Sequence, residues 1–195
     1  KPTSTEQKEL WRKSLGQDFG RLNGQIENVV SQFSLGPRHV EAACASVGSY
    51  SGEETELGRK LWEACRIQSR TRLDDLAQRI EPAATWDELV LPEVQRQLLR
   101  EITTHVRQRT KVYETWGFAE KGERGLGISA LFAGTSGTGK TMAAEVIAGD
   151  LGVDLYKIDL STVVSKYIGE TEKNLDRLFT EARAGTAILF FDECD

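Results

Sequence analysis

The sequence predicts an α/β layer built on a parallel sheet, preceded by a small all-helical domain. Over roughly the first 80 residues, apolar side chains recur at helical spacing with few β-branched runs. Further along, short apolar runs alternate with helical periodicity in the order strand, helix, strand, helix, strand, which is typical of a doubly wound sheet. We therefore expect a helical domain over residues 1–81 and an α/β domain over residues 82–195.

Composition limits the classes of protein to which the chain can belong. Its 195 residues, 39% of them hydrophobic, suffice for one large or two small domains. A net charge of −5 gives no support for holding nucleic acid by bulk charge. No apolar run approaches the roughly 18 residues of a membrane span, and no signal-peptide pattern is present, so we expect no membrane contact and a cytoplasmic protein. Three widely spaced cysteines match no disulfide framework, which predicts reduced thiols.

The helical part is interrupted at defined places. Leu22, Ile26 and Val29 share one helix face, and Gly36-Pro37 ends that pattern. Helices are predicted over residues 38–47 and from Glu54 onward, and Pro82 ends the region.

In the second part, residues 85–92 are predicted to be extended or looped. A helix follows that ends before Gly117. Residues 128–133 form a short apolar run before glycines, which predicts a strand buried on both faces, with a helix starting near Lys140. The last predicted elements are a strand over 153–158, a helix over 170–184 and a strand over 187–191.

A glycine-rich motif follows the first predicted strand. It fits the pattern G-x-x-x-x-G-K-[ST] between a strand and a helix, with the residues Gly134, Thr135, Ser136, Gly137, Thr138, Gly139, Lys140 and Thr141. Backbone N–H groups of such a loop close around phosphate oxygens, and the helix N-terminus adds partial positive charge. Lys140 would reach the β- and γ-phosphates, and Thr141 would ligate Mg²⁺. A glycine-rich turn without nucleotide is the alternative, but lysine and threonine both fall where the chemistry needs them.

Two adjacent carboxylates end the last predicted strand. Asp192 and Glu193 follow an apolar run at the carboxyl end, where open α/β sheets place ligands. Asp192 is suited to hold the Mg²⁺ water shell, and Glu193 to polarise an attacking water. A solvated strand end would explain the pair if it stood alone.

The motifs together resemble the AAA ATPase family, with a parallel P-loop sheet flanked by helices. The resemblance covers residues 85–195, although the loop reads Gly-Thr-Ser-Gly where Gly-Pro-Pro-Gly is usual. It implies ATP and Mg²⁺ as cofactors, with Lys140 and Glu193 as catalytic residues. It also implies that Met142 contacts the nucleotide and that Leu89 and Val90 lie near adenine.

The segment from Ser165 to Leu175 resembles pore loop 1 of protein-remodelling members of that family. There an aromatic tip grips polypeptide in the channel of a hexameric ring, so the resemblance implies a homo-oligomer and a polypeptide substrate. The corresponding residues here are Lys166, Tyr167, Ile168 and Gly169. A half-buried aromatic is the alternative for Tyr167.

The first 80 residues are similar to the small helical lid of an AAA module, which would imply a preceding module; a stand-alone helical adaptor is the alternative. The family's polar sensor, arginine fingers and own lid are expected beyond Asp195. Residues 1–195 alone are therefore expected to hydrolyse little ATP.

Three classes of function stay open. The leading one is an ATP-driven protein-remodelling motor, and its rival is a nucleotide-binding scaffold with little turnover. A nucleic-acid motor would need the basic residues Arg96, Arg100, Arg107, Arg109 and Lys111, for which a solvated helix face is an equal explanation.

Overall fold

The computed structural model describes residues 4–48, 54–70, 73, 76–118, 127–163 and 170–192. Among these residues, four α-helices lie in the amino-terminal part: α1 Ser4–Leu15, α2 Asn23–Gln32, α3 Pro37–Val47 and α4 Glu54–Ser69, and a 3₁₀ turn over Gly16–Phe19 follows α1. The remaining elements are β1 Gln78–Ile80, α5 Glu93–Thr110, α6 Lys140–Leu151, β2 Asp154–Asp159, α7 Leu160–Val163, α8 Glu170–Gly185 and β3 Ala187–Asp192. The predicted fold class, an α/β P-loop core preceded by a helical domain, is confirmed.

The chain divides into two compact units. The first joins Lys1–Arg79 with Gly152–Asp195, and the second is Ile80–Leu151. The helices α1 to α4 and the strands β2 and β3 thus belong to one unit. The glycine-rich motif belongs to the other.

The helices α1 to α4 enclose one apolar core. Its largest fully buried side chains are Trp11, Leu22, Ile26, Phe33 and Leu61. Pro37 occupies the first turn of α3, where its missing N–H costs nothing, and Gly48 ends that helix at φ +62°. Cys65 lies in this core, where burial raises the pKa of its thiol to about 12. Such a thiol stays protonated near neutral pH, as a structural buried cysteine does.

The sheet has the order β1-β2-β3, and β2 pairs with β3 in parallel. Asp154 lies opposite Ala187 at one end of the pair, and Asp159 lies opposite Asp192 at the other. Tyr156 and Ile158 of β2 are buried in a second apolar core that includes Leu178 of α8. Both predicted strands are confirmed to within one residue at each end. The short strand β1 was not predicted.

One predicted strand is wrong. Residues 128–133 carry no strand, and Leu131 and Ile128 are 89% and 44% exposed. Within the described residues this segment is not part of the sheet β1-β2-β3, so its backbone lacks the hydrogen-bond ladder that a strand requires. In the same unit, α5 and α6 pack together, with Leu99 and Val146 buried.

Candidate functional site

The glycine-rich loop leads directly into α6. Gly137 and Gly139 have φ of +80° and +85°, values that favour glycine over every other residue. The N–H of Ala143 donates to the carbonyl of Gly139 at 2.8 Å and closes the first turn of α6. The loop therefore ends at a helix N-terminus, where free backbone donors and the helix dipole favour a bound anion.

Lys140 lies across its own loop. Its Nζ donates to the carbonyl oxygens of Gly134 at 2.8 Å and Thr135 at 2.9 Å. Thr138 Oγ donates to the same Thr135 carbonyl at 2.8 Å, and a Cβ at Gly134 would lie only 2.9 Å from that hydroxyl. The loop is thus closed on itself, with a cation held against it.

The space in front of the loop is open. A Cβ placed at Gly137 or Gly139 would meet nothing within 4 Å, and residues 134–138 are exposed. Thr141 is half-buried in the first turn of α6, and the next side chain, Met142, is 39% exposed. An ammonium, a hydroxyl and exposed loop backbone form a donor set that fits a nucleotide phosphate with its Mg²⁺.

Asp192 ends β3 in the other unit. Its carboxylate oxygen Oδ2 lies 2.7 Å from Nζ of Lys157, and both side chains are about one third exposed. An oxygen ligand at the carboxyl end of a parallel strand suits Mg²⁺. Glu193 lies outside the described residues, as do the four pore-loop residues Lys166, Tyr167, Ile168 and Gly169.

A further carboxylate lies at this edge of the sheet and was not singled out from the sequence. Asp159 ends β2 directly opposite Asp192. The hydroxyl of Ser161 donates to its Oδ1 at 2.6 Å and the N–H of Ser161 at 2.8 Å, and these bonds, with the nearby charge of Lys157, lower the pKa of Asp159. In the sequence, Asp159 directly follows the strand predicted over residues 153–158, and this position marks it as a candidate site residue.

The linker predicted to flank adenine is looped, as expected. Leu89 is buried at 2% exposure, whereas Val90 is 90% exposed. Upstream, the N–H and hydroxyl of Thr85 donate to the carboxylate of Glu88 at 2.8 and 2.9 Å, which lowers the pKa of Glu88. These bonds form a local capping arrangement that fixes the linker backbone before Leu89.

Three of the basic residues considered for nucleic acid have partners within the second unit. Arg96 donates to the carbonyl of Leu89 at 2.9 Å, and Arg107 donates to the carbonyl of Asp150 at 2.7 Å. The guanidinium of Arg100 lies 5.5 Å from the centre of the Trp86 ring. These contacts give the three arginines structural roles, which argues against a nucleic-acid face on α5.

Two segments of the chain match known protein families. Residues 130–195 match the family described as "ATPase family associated with various cellular activities (AAA)". These residues belong to the AAA family. Residues 3–71 match the "Contractile injection system ATPase helical domain", which fits the helical, lid-like domain expected there.

Curated proteins similar to the chain include two whose names describe them as ATPases. An uncharacterized AAA family ATPase, y4kL, of Sinorhizobium fredii is 32% identical over 123 residues, which cover 62% of this chain and 34% of that protein. Fidgetin-like protein 1 of Xenopus laevis is 33% identical over 115 residues, 58% of this chain and 16% of that protein. The peroxisomal ATPase PEX6 of Kluyveromyces lactis is 33% identical over 115 residues, which cover 58% of this chain and 11% of that protein. The chain therefore spans about a third or less of these relatives.

No helix among the described residues is long and apolar enough to cross a membrane.

Proposed function

We propose that the protein containing this chain binds ATP with Mg²⁺, hydrolyses it, and uses the energy to remodel a polypeptide. The observation that carries the proposal is the loop that ends at α6, with Lys140 held across two loop carbonyls and open space in front. Membership of residues 130–195 in the AAA family supports ATPase activity in general.

Each group has one task in the proposed reaction. Lys140 exchanges its loop carbonyls for the β- and γ-phosphate oxygens and neutralises charge that develops there. Thr141 would ligate Mg²⁺ and Asp192 would hold its water shell, and the ion would supply Lewis-acid stabilisation of the phosphate oxygens. Glu193 orients and deprotonates the attacking water.

Two segments of the chain support a polypeptide substrate: the helical part and the predicted pore loop. The helical part matches the helical domain of contractile injection system ATPases, so we assign the substrate to a protein component of such a system. Tyr167, with Lys166 and Ile168, would grip that polypeptide in the pore of a hexameric ring in the cytoplasm. The helical part is proposed to be a domain over residues 1–81, followed by the ATPase core over 82–195.

The rival function, a nucleotide-binding scaffold with little turnover, has one specific observation in its favour. The Lys157 ammonium already occupies an oxygen of Asp192 at 2.7 Å, so a Mg²⁺ ion must share that carboxylate with a cation.

Two substitutions in the full-length protein separate these functions. Lys140→Ala should weaken ATP binding by about 100-fold or more, because hydrogen bonds to charged groups contribute about 1.5–3 kcal/mol each. Glu193→Gln should keep ATP binding while slowing hydrolysis by orders of magnitude. Calorimetric titration and a phosphate-release assay measure the two effects, and Lys8→Ala in α1 is the matched surface control.

Unchanged affinity in Lys140→Ala would contradict nucleotide binding at this loop. Parental turnover in Glu193→Gln would contradict the role of Glu193. A parent protein that binds ATP tightly without measurable turnover would establish the scaffold.

A further inference from the structure

One face of the strand pair β2-β3 carries three charged side chains at its carboxyl end. Successive side chains of a strand alternate between the two faces of a sheet. Tyr156 and Ile158 of β2 pack in the second apolar core. Lys157 and Asp159 therefore lie on the opposite face. Asp192 shares that face, because it is the register partner of Asp159.

The Lys157 side chain reaches from β2 to β3 on this face. Its register partner is Phe190, two residues before Asp192, so the lysine crosses diagonally to the end of β3. Its Nζ lies 2.7 Å from Oδ2 of Asp192, the length of a charge-assisted hydrogen bond. The hydrogen bonds from Ser161 and, after them, the charge of Lys157 lower the pKa of Asp159. One ammonium thus acts on two carboxylates.

Water reaches the ion pair between Lys157 and Asp192. The two side chains are 35% and 28% exposed. A partly exposed ion pair contributes little to stability, and a lysine ammonium on its four-carbon stem can leave its partner and take up water. Opening this pair therefore costs little free energy.

The ammonium and a metal ion compete for the same carboxylate. Mg²⁺ prefers carboxylate oxygens as ligands, and two cations held on one carboxylate repel each other. We propose that Lys157 is a positioning residue for the Mg²⁺ site, whose ammonium holds Asp192 as a built-in counter-ion and leaves that oxygen when the ion binds. Free Mg²⁺ then binds weakly at this edge of the sheet, because binding must break the ion pair. This inference rests on the proposed function, which assigns Mg²⁺ to Asp192.

Thermodynamic linkage gives the proposal a consequence that a purely structural ion pair lacks. If the ammonium weakens Mg²⁺ binding, bound Mg²⁺ must weaken the contact of the ammonium by the same factor. In the parent protein, saturating Mg²⁺ should therefore raise the rate at which an amine-reactive reagent labels Lys157, as read by mass spectrometry. Labelling of Lys8, which pairs with Glu27 at 3.0 Å, should not change.

Lys157→Met tests the proposal, because it keeps most of the side-chain length and removes the charge. The experiment uses the full-length protein without nucleotide and Mn²⁺ as the probe for the Mg²⁺ site. We expect Mn²⁺ to bind about three- to ten-fold more tightly than in the parent, the range for loss of a partly exposed ion pair and of a nearby like charge. Electron paramagnetic resonance of the free ion measures the affinity. A loss of structure would lower the affinity instead.

Three further variants are matched to this one. Lys157→Arg keeps the positive charge, so its Mn²⁺ affinity should stay close to that of the parent. Lys8→Met removes an ammonium from an exposed ion pair between α1 and α2 and should leave the affinity unchanged. Asp192→Asn in the Lys157→Met background should abolish the gain, because the amide offers the ion no charge.

The outcomes decide the role of Lys157. Equal Mn²⁺ affinity in the parent and Lys157→Met, no measurable binding in either, or an equal gain in Lys157→Arg would overturn it. A gain that survives Asp192→Asn would also overturn it. If Lys157→Met does not fold, the labelling experiment on the parent decides, and a Lys157 labelling rate that does not respond to Mg²⁺ overturns the proposal. Failure of the parent to bind ATP would contradict the proposed function and would leave these metal measurements unchanged.

Discussion

Substitution of Gly152 by alanine tests how tightly the α6–β2 turn is held. The residue has φ +64°, which costs an L-amino acid about 1 kcal/mol relative to glycine. The new Cβ would also lie 2.7 Å from Trp62 Nε1 and 3.4 Å from two further ring atoms. Because Phe33 packs on the ring, Trp62 can yield only by giving up its hydrogen bond to Gly152, a net loss of about 1 kcal/mol.

Together these effects should destabilise the first unit by about 2–3 kcal/mol. Urea denaturation followed by tryptophan fluorescence measures the change as a lower midpoint with an unchanged slope. Gly16→Ala is the matched control, because Gly16 has φ +55° and a Cβ there would meet nothing within 4 Å. It should show the backbone cost alone.

A double-mutant cycle isolates the contact. In a Trp62→Ala background, the alanine at position 152 should cost only the backbone penalty, about 1 kcal/mol, so the two substitutions should be clearly non-additive. If Gly152→Ala costs no more than Gly16→Ala, or if the cycle is additive, the fit between Trp62 and the turn would be refuted.

Two further predictions concern the opposite edge of the sheet and the pore. Ser161→Ala should raise the pKa of Asp159 part of the way towards its ordinary value, since the hydroxyl bond is lost and the backbone bond remains. Because the pKa of Asp159 is lower in the folded than in the unfolded protein, its ionised carboxylate stabilises the fold above the unfolded pKa, and this stabilisation is lost as the pH falls. The variant has less of this stabilisation to lose, so its stability should depend less on acid. An unchanged pKa of Asp159 in an NMR titration would contradict the assignment. Tyr167→Ala should leave ATP turnover within a few-fold of the parent and abolish substrate remodelling, and lost turnover with remodelling retained would place Tyr167 in the core instead.

The sequence predicted elements well where local signals were strong. The helix starting at Lys140 follows from its glycines, and β2 and β3 follow from short apolar runs of the right length. The run over 128–133 carries the same apolar signal yet forms no strand. The difference is that a strand needs a partner beside it, and an apolar run alone does not specify one.

The polar contacts between distant segments could not be predicted. Trp62 and Gly152 are 90 residues apart, and Gln32 and Thr186 are 154 residues apart. A tryptophan on an amphipathic helix has the sequence signature of a core residue, and nothing local marks its N–H as a donor to a helix end. Arg66 and Arg70 likewise fit a solvated face until Asp154 is seen between them.

The position of Lys140 has a consequence for nucleotide affinity. Its ammonium must leave the carbonyls of Gly134 and Thr135 before it can reach phosphate, but both carbonyls lie in an exposed loop where water can replace it. On binding nucleotide, the Lys140 ammonium therefore loses hydrogen bonds to neutral carbonyls and forms shorter, charge-assisted hydrogen bonds to phosphate. The glycine conformations at positions 137 and 139 keep the loop shaped while the ammonium moves, so little backbone ordering opposes binding.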